Sequence, residues 1–470
     1  MKSVGKIRTI RLALLVLGLS IGAAAQSSSQ SQPDTTPAPA FGQSAPILSP
    51  ENPPVTGLDE PSLDLHTANR SFISTALQVS ESADTNGSNL LGPSGVQSVS
   101  RIIGAFDLQQ FWPKSDLFLE YIGGGAFYST PFEVRSLQAV GFEGVTRWRT
   151  GALAVRDAFN YLPDGSFEIG AFGGAPGFGI ATGGGSGMAG GAIPGTHLFG
   201  TGLFGAVGNT PRLTNLAILD VVQAISPRSA LTFAGGFSNA HFFDPTNQLI
   251  NSDAVTVESG YTHLLGRHDQ VGAIYAFQLF QFPQVTGGQI YIHIINGRWS
   301  HAITGRLNLL ISAGPQYTEL EQGGYLSRWS LSARAQLRYH MGRADVLLSY
   351  EKFSSTGSGF YVGANVQAAR LGYIRPLGRT WVFYGDLGYA HNTRIQTTGN
   401  AISAGSYDSG SASAILRKHI GRTWEFIAGY RFGEEGFSEP ICVVGSCGRI
   451  SSRQVGGIGL EWHPAPLRIE

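Results

Sequence analysis

The sequence predicts an all-β chain: a transmembrane antiparallel up-and-down β-barrel of about 18 strands, with a count of 16–20 open. Three observations carry that class. Long stretches alternate apolar and polar residues with a period of two, the mark of a strand with two unlike faces. A Gly-Arg dipeptide recurs between such stretches at Gly266, Gly305, Gly342, Gly378 and Gly421, where glycine accepts the positive φ of a tight turn. Charged residues make up only 14% of the chain, glycine supplies 64 of 470 residues and the formal net charge is zero. That balance is unusual for a soluble domain and offers nothing to nucleic acid. The Gly-Arg turns recur at roughly 40 residues, a spacing shared with solenoids and propellers. The period of two excludes helical repeats, and each interval holds two long strands rather than a blade's four short ones.

Along the chain, "MKSVGKIRTIR" is basic, "LALLVLGLSIG" is apolar, and Ala23 and Ala25 form an A-x-A cleavage signal. Residues 1–25 therefore read as a secretory signal peptide, too short to remain as a spanning helix. Residues 26–67 are rich in Ser, Pro and Gln without any period and read as a disordered linker. The barrel is expected over 68–470. Short turns are expected near 113, 149, 227, 267, 305, 343, 379 and 422. Looser loops are expected near 85–96, 129–134, 162–211, 241–252, 283–288, 318–326, 355–359, 392–405 and 434–449. Both chain ends then lie on the short-turn side.

The stretch "SRWSLSARAQLRYHM" shows why these strands belong in a bilayer. One parity carries Trp329, Leu331, Ala333, Ala335, Leu337 and Tyr339, apolar with an aromatic at each end, as on a lipid face with interfacial belts. The other carries Arg328, Arg334, Arg338 and His340 and needs an aqueous interior. The expected strands reach the ~9–11 residues of a tilted crossing, and a closed barrel leaves no unpaired edge in lipid. The same logic explains the near-repetition of "LGRTWVFYG" and "IGRTWEFIAG": Trp381 and Trp424 re-enter one lipid boundary after each turn.

This layout of signal peptide, short inner turns, longer outer loops and a terminal strand resembles bacterial outer-membrane β-barrel proteins of porin type over about 69–463. The final strand departs from that pattern, since Trp462 is followed by further residues rather than ending the chain. The resemblance implies location in the outer membrane with short turns toward the periplasm. It implies lipid bilayer and lipopolysaccharide as surroundings, barrel assembly machinery for insertion, and small solutes as cargo.

No catalytic constellation emerges: there is no G-x-S-x-G elbow and no H-E-x-x-H, and "GGGSGMAGG" precedes no Lys-Ser/Thr. An enzyme is not expected, nor a cofactor or resident metal. The lumen-lining candidates are Arg334, Arg338, Glu351, Asp386, Arg417, Glu425 and Arg431. Register arithmetic sets Arg334 opposite Glu351 across Gly342, and Arg417 opposite Glu425 across Gly421. Such pairs support register, and a wall of both signs argues against strong ion selectivity. Cys442 and Cys447 have the spacing for a disulfide-closed loop in an exported protein, with two free thiols as the alternative. The long Gly-rich, weakly charged segment 162–211 is read three ways: folded into the lumen, as the third loop of general porins does; an external flap; or two further strands. Two functions follow. One is a channel for passive diffusion of small solutes, narrowed by 162–211. The other is a non-conducting structural or surface-interaction barrel plugged by it.

Overall fold

A computed structural model of the chain describes residues 71–85, 95–129, 132–162, 211–243, 249–321, 325–357, 359–397, 399–443, 446–465 and 467–469. The expected signal peptide, the linker and nearly all of segment 162–211 lie outside the described residues.

Every regular element among the described residues is a strand. The sheet opens with β1 (Phe72–Asp84), β2 (Gln97–Phe111), β3 (Ser115–Ser129) and β4 (Phe132–Trp148). It continues through β5 (Gly151–Leu162), β6 (Arg212–Ser226), β7 (Ser229–Phe242) and β8 (Ser252–Leu264). Next come β9 (Asp269–Gln281), β10 (Gln289–Thr304), β11 (Leu307–Glu321) and β12 (Tyr325–Met341). β13 (Ala344–Ser355), β14 (Ala364–Leu377), β15 (Trp381–Arg394) and β16 (Ser406–Ile420) follow. The chain ends with β17 (Trp424–Val443), β18 (Ser446–Trp462) and β19 (Leu467–Arg468). All eight expected short turns fall between strands. The strands run beyond a minimal crossing, to 17 residues in β4 and β12 and 20 in β17.

Each strand pairs antiparallel with its neighbour, and β1 pairs with β18 from Leu77↔Trp462 to Asp84↔Val455. Eighteen strands therefore close into a barrel with no free edge, apart from the two-residue β19. β19 lies beside the start of β1, and the Ile469 N–H donates to the Ser71 carbonyl. The residues after Trp462 are thus tied back to the first strand.

The two parities part cleanly. On β1, Gln78, Ser80 and Ser82 are buried while Leu77 and Val79 are exposed. On β12, Trp329, Leu331 and Tyr339 are exposed while Ser332, Arg334 and Gln336 are buried. This is inside-out by the standard of a soluble protein and is the arrangement of a barrel in hydrocarbon, where lipid covers the apolar face. Trp424 and Trp462 are directly paired at the short-turn end, both exposed on the outer face. Beside them Lys418 Nζ stands 5.0 Å from the Trp381 ring centre.

Two expectations need correction. The span 434–449 is not a loop: β17 continues to Val443 and β18 starts at Ser446, with a register shift between Gly436 and Ile441. Arg417 is not opposite Glu425 but opposite Ile427, and Glu425 faces His419. The position of the turn's centre is the cause. Met341↔Ala344 encloses two residues, Gly342 and Arg343, so the arithmetic there places Arg334 opposite Glu351 as found. Ile420↔Trp424 and Leu377↔Trp381 each enclose three, Gly-Arg-Thr, so the ladder after β16 centres on Arg422, whereas the expected pairing of Arg417 with Glu425 centres it on Gly421. Gly342, Gly378 and Gly421 all take positive φ, so the same glycine starts both loop lengths.

Candidate functional site

The lumen is the candidate site, and its two ends are built differently. Toward the short turns the inward rows carry charge. Arg334 Nε lies 3.2 Å from its cross-strand partner Glu351 Oε1. Arg370 Nε donates to Asp386 Oδ2 at 2.6 Å. Arg338 stands opposite Leu347 and 4.0 Å from Asp345 Oδ1. On the far side Arg156 bridges Glu143, 3.3 Å away, and Asp220. At the closing seam, on the long-loop side where β1 ends, Arg453 Nε donates to both oxygens of Asp84 at 3.0 Å, tying β18 to β1. Arg431 shares the inward row of β17 with Glu425 and Ile427. Arg417 reaches Glu425 diagonally, Nη1 to Oε2 3.6 Å.

Below Arg417, Glu425 is directly paired with Glu461 on β18, and His463 follows immediately after that strand. His463 Nε2 is 3.1 Å from Glu461 Oε1 and 3.7 Å from Glu425 Oε2. Burial works against its charged form, but the neighbouring carboxylates of Glu425 and Glu461 outweigh burial and hold its pKa above the usual value.

Toward the long loops the inner wall turns apolar within single strands. The inward row of β10 reads Ile290, Ile292, Ile294, Asn296, Arg298, and its three isoleucines are fully buried. Against it packs the loop between β13 and β14, residues 356–363, which contributes Phe360, Tyr361 and Val362, all at most 2% exposed. Val362 joins Ile290, Ile292, Phe282 and Ile395 in one apolar cluster. Phe360 and Tyr361 join Phe242, Phe353, Tyr407 and Phe437 in a second. Phe360 meets the rings of Tyr407 and Phe437 edge-on at 5.6 and 6.1 Å between centres.

Backbone bonds pin this cap on both sides. Ile250 N–H donates to the Gly359 carbonyl at 2.9 Å, from the β7–β8 loop. Ala401 N–H donates to the Phe360 carbonyl and Ile395 N–H to that of Gly363, from the β15–β16 loop. Val362 N–H donates to Asn400 Oδ1 at 2.8 Å. The cap therefore reaches strands that are not its neighbours in the sheet. Its path requires left-handed backbone at Gly359, φ +81°, where an added Cβ would stand 2.7 Å from the Phe242 ring. Tyr361 is the cap's exception: its buried hydroxyl has no hydrogen-bond partner among the described residues, and burial pushes its pKa far above the usual phenol value.

The sequence reading placed the constriction in 162–211, which lies outside the described residues, and passed over 356–363. A signal was present: "TGSGFYVG" flanks an apolar trio with glycines, unlike a solvated turn. Cys442 and Cys447 occupy directly opposed backbone positions at the β17–β18 tip.

No protein-family model matches the chain. No curated protein matches it either. Solved structures with a similar course include Pseudomonas aeruginosa OccK2 (OpdF) in complex with glucuronate, at 10% identity and TM-score 0.42, covering 85% of this chain and 98% of that one. The outer membrane protein opdK of Pseudomonas aeruginosa is 12% identical with TM-score 0.40, covering 83% and 99%. Acinetobacter baumannii OccAB3 is 11% identical with TM-score 0.40, covering 84% and 99%. At these scores the likeness carries no argument, and the barrel rests on its own pairing ladder.

Proposed function

We propose that the chain is an exported outer-membrane channel for passive diffusion of small solutes, with a lumen of mixed charge narrowed at its long-loop end. The observation that carries this reading is the inversion of the barrel. An apolar outer face with paired tryptophans at one rim encloses rows of arginine, glutamate and aspartate that need water. A barrel of this strand number is wide enough to hold an aqueous path unless its interior is filled. The mixed wall supports weak ion selectivity. On this reading the chain has lipid and lipopolysaccharide around it, small solutes as cargo and no catalytic role.

A second reading is favoured by the cap: a non-conducting structural or surface barrel whose mouth is closed by an apolar core. Purified full-length protein in a planar bilayer separates the two. Discrete conductance steps with reversal potentials near zero in a salt gradient support the channel. Protein that inserts without steps supports the closed barrel. We also propose that Cys442 and Cys447 are bridged, since opposed positions on an antiparallel pair fall within the Cα separation a disulfide needs. Their peptide should be lighter by two hydrogens without reductant. Labelling of both by an impermeant maleimide would refute the bridge.

A further inference from the structure

We propose that Glu425, Glu461 and His463 form a divalent-cation site in the barrel wall at the short-turn end. One donor atom from each lies within 4.8 Å of the others. Glu425 and Glu461 are directly opposed on β17 and β18, and like charges so placed destabilise a ladder unless something between them compensates. Glu425 has help, with Arg417 at 3.6 Å and His419 at 4.0 Å. Glu461 is fully buried; apart from the ion-pair approach of His463 Nε2 to its Oε1, neither carboxylate oxygen has a hydrogen-bond donor among the described residues. On its other side, directly paired on β1, stands Gln78, 2% exposed, whose Oε1 also has no donor among the described residues.

Three adjacent strands thus turn acceptors toward one level of the wall, and His463 adds a ring nitrogen 3.1 Å from Glu461. Two carboxylates, an imidazole and a neighbouring amide oxygen suit a borderline divalent ion such as Zn2+, with a position left for water. A cation there would satisfy the orphaned acceptors and join β17, β18 and β1 where the barrel closes, whether or not the lumen conducts.

The probe is Zn2+ alone, added to full-length protein in detergent after stripping with chelator, with binding followed by calorimetry and unfolding temperature. The Cys442→Ser/Cys447→Ser background removes thiol ligands. The proposal expects one saturable Zn2+ per chain and a rise in unfolding temperature. Both should be lost in Glu461→Gln and in His463→Asn, with heat-modifiable gel migration confirming that each variant is still a barrel. Absence of a saturable site in the stripped parent protein would overturn it. So would undiminished binding in Glu461→Gln, because the ion would then sit elsewhere.

Discussion

The two ends of the lumen bury their side chains by opposite chemistry. Through the mid-wall and the short-turn end charge is neutralised by charge: Arg334 with Glu351, Arg370 with Asp386, Arg417 with Glu425. At the long-loop end a small apolar core fills the mouth, with Phe360 and Val362 set against Tyr407 and Ile290. A charged wall must be paired or wetted, because an uncompensated buried charge costs several kcal/mol. An apolar cap needs neither, but it must exclude water and therefore occupies the path. The difference assigns tasks: the wall is fit to line a route for solutes, and the cap is fit to restrict one.

Breaking a pair should produce the largest effect on stability. Arg334→Leu leaves Glu351 buried beside an apolar side chain and should cost about 3–5 kcal/mol in a denaturant titration. Adding Glu351→Leu should recover most of that loss, since an apolar pair of similar volume is tolerated where a broken ion pair is not. Failure of the double variant to recover would mean the wall is held by more than the pair.

The cap should respond next. Phe360→Ala removes a ring from a dry cluster at a cost of about 3 kcal/mol, confined to the cap because the strand ladders do not depend on it. Proteolysis within 356–363 should speed up while the barrel keeps its heat-modifiable migration. Loss of the whole barrel would show that cap and wall fold as one unit.

The smallest effect has the opposite sign. Tyr361→Phe removes a buried hydroxyl without a partner among the described residues and should stabilise the cap by about 1 kcal/mol. A destabilised Tyr361→Phe would place a hydrogen-bond partner on that hydroxyl.

The contrast between the two ends also explains what could be read in advance. The wall was legible because alternation assigns Leu331 and Arg334 to opposite faces, and because a two-residue turn at Gly342 fixes Arg334 against Glu351. The partner of Glu425 was not, because Gly-Arg-Thr does not say which of its residues is the turn's centre: a centre at Gly421 pairs Glu425 with Arg417, and the ladder centres on Arg422. The span 434–449 escaped because the register shift between Gly436 and Ile441 breaks the alternation before the strand ends. The cap escaped for a deeper reason. Loops carry no period, so nothing in "GFYVG" says that it meets Phe242, Tyr407 and Ile290, residues brought there by distant strands. Cross-strand neighbours follow from local pattern; a loop that crosses a lumen does not.

The central claim is that the cap restricts an aqueous path along the charged wall. Gly359→Val tests it most directly. The position needs φ +81°, and its Cβ would stand 2.7 Å from the Phe242 ring, so valine must unseat the loop, at about 1–3 kcal/mol for the backbone conformation alone. The residue lies in a loop, so the strand pairing is untouched. Single-channel recording should show a several-fold higher conductance than the parent protein, with the barrel intact by gel migration. An intact Gly359→Val barrel with the parent's conductance would contradict the account.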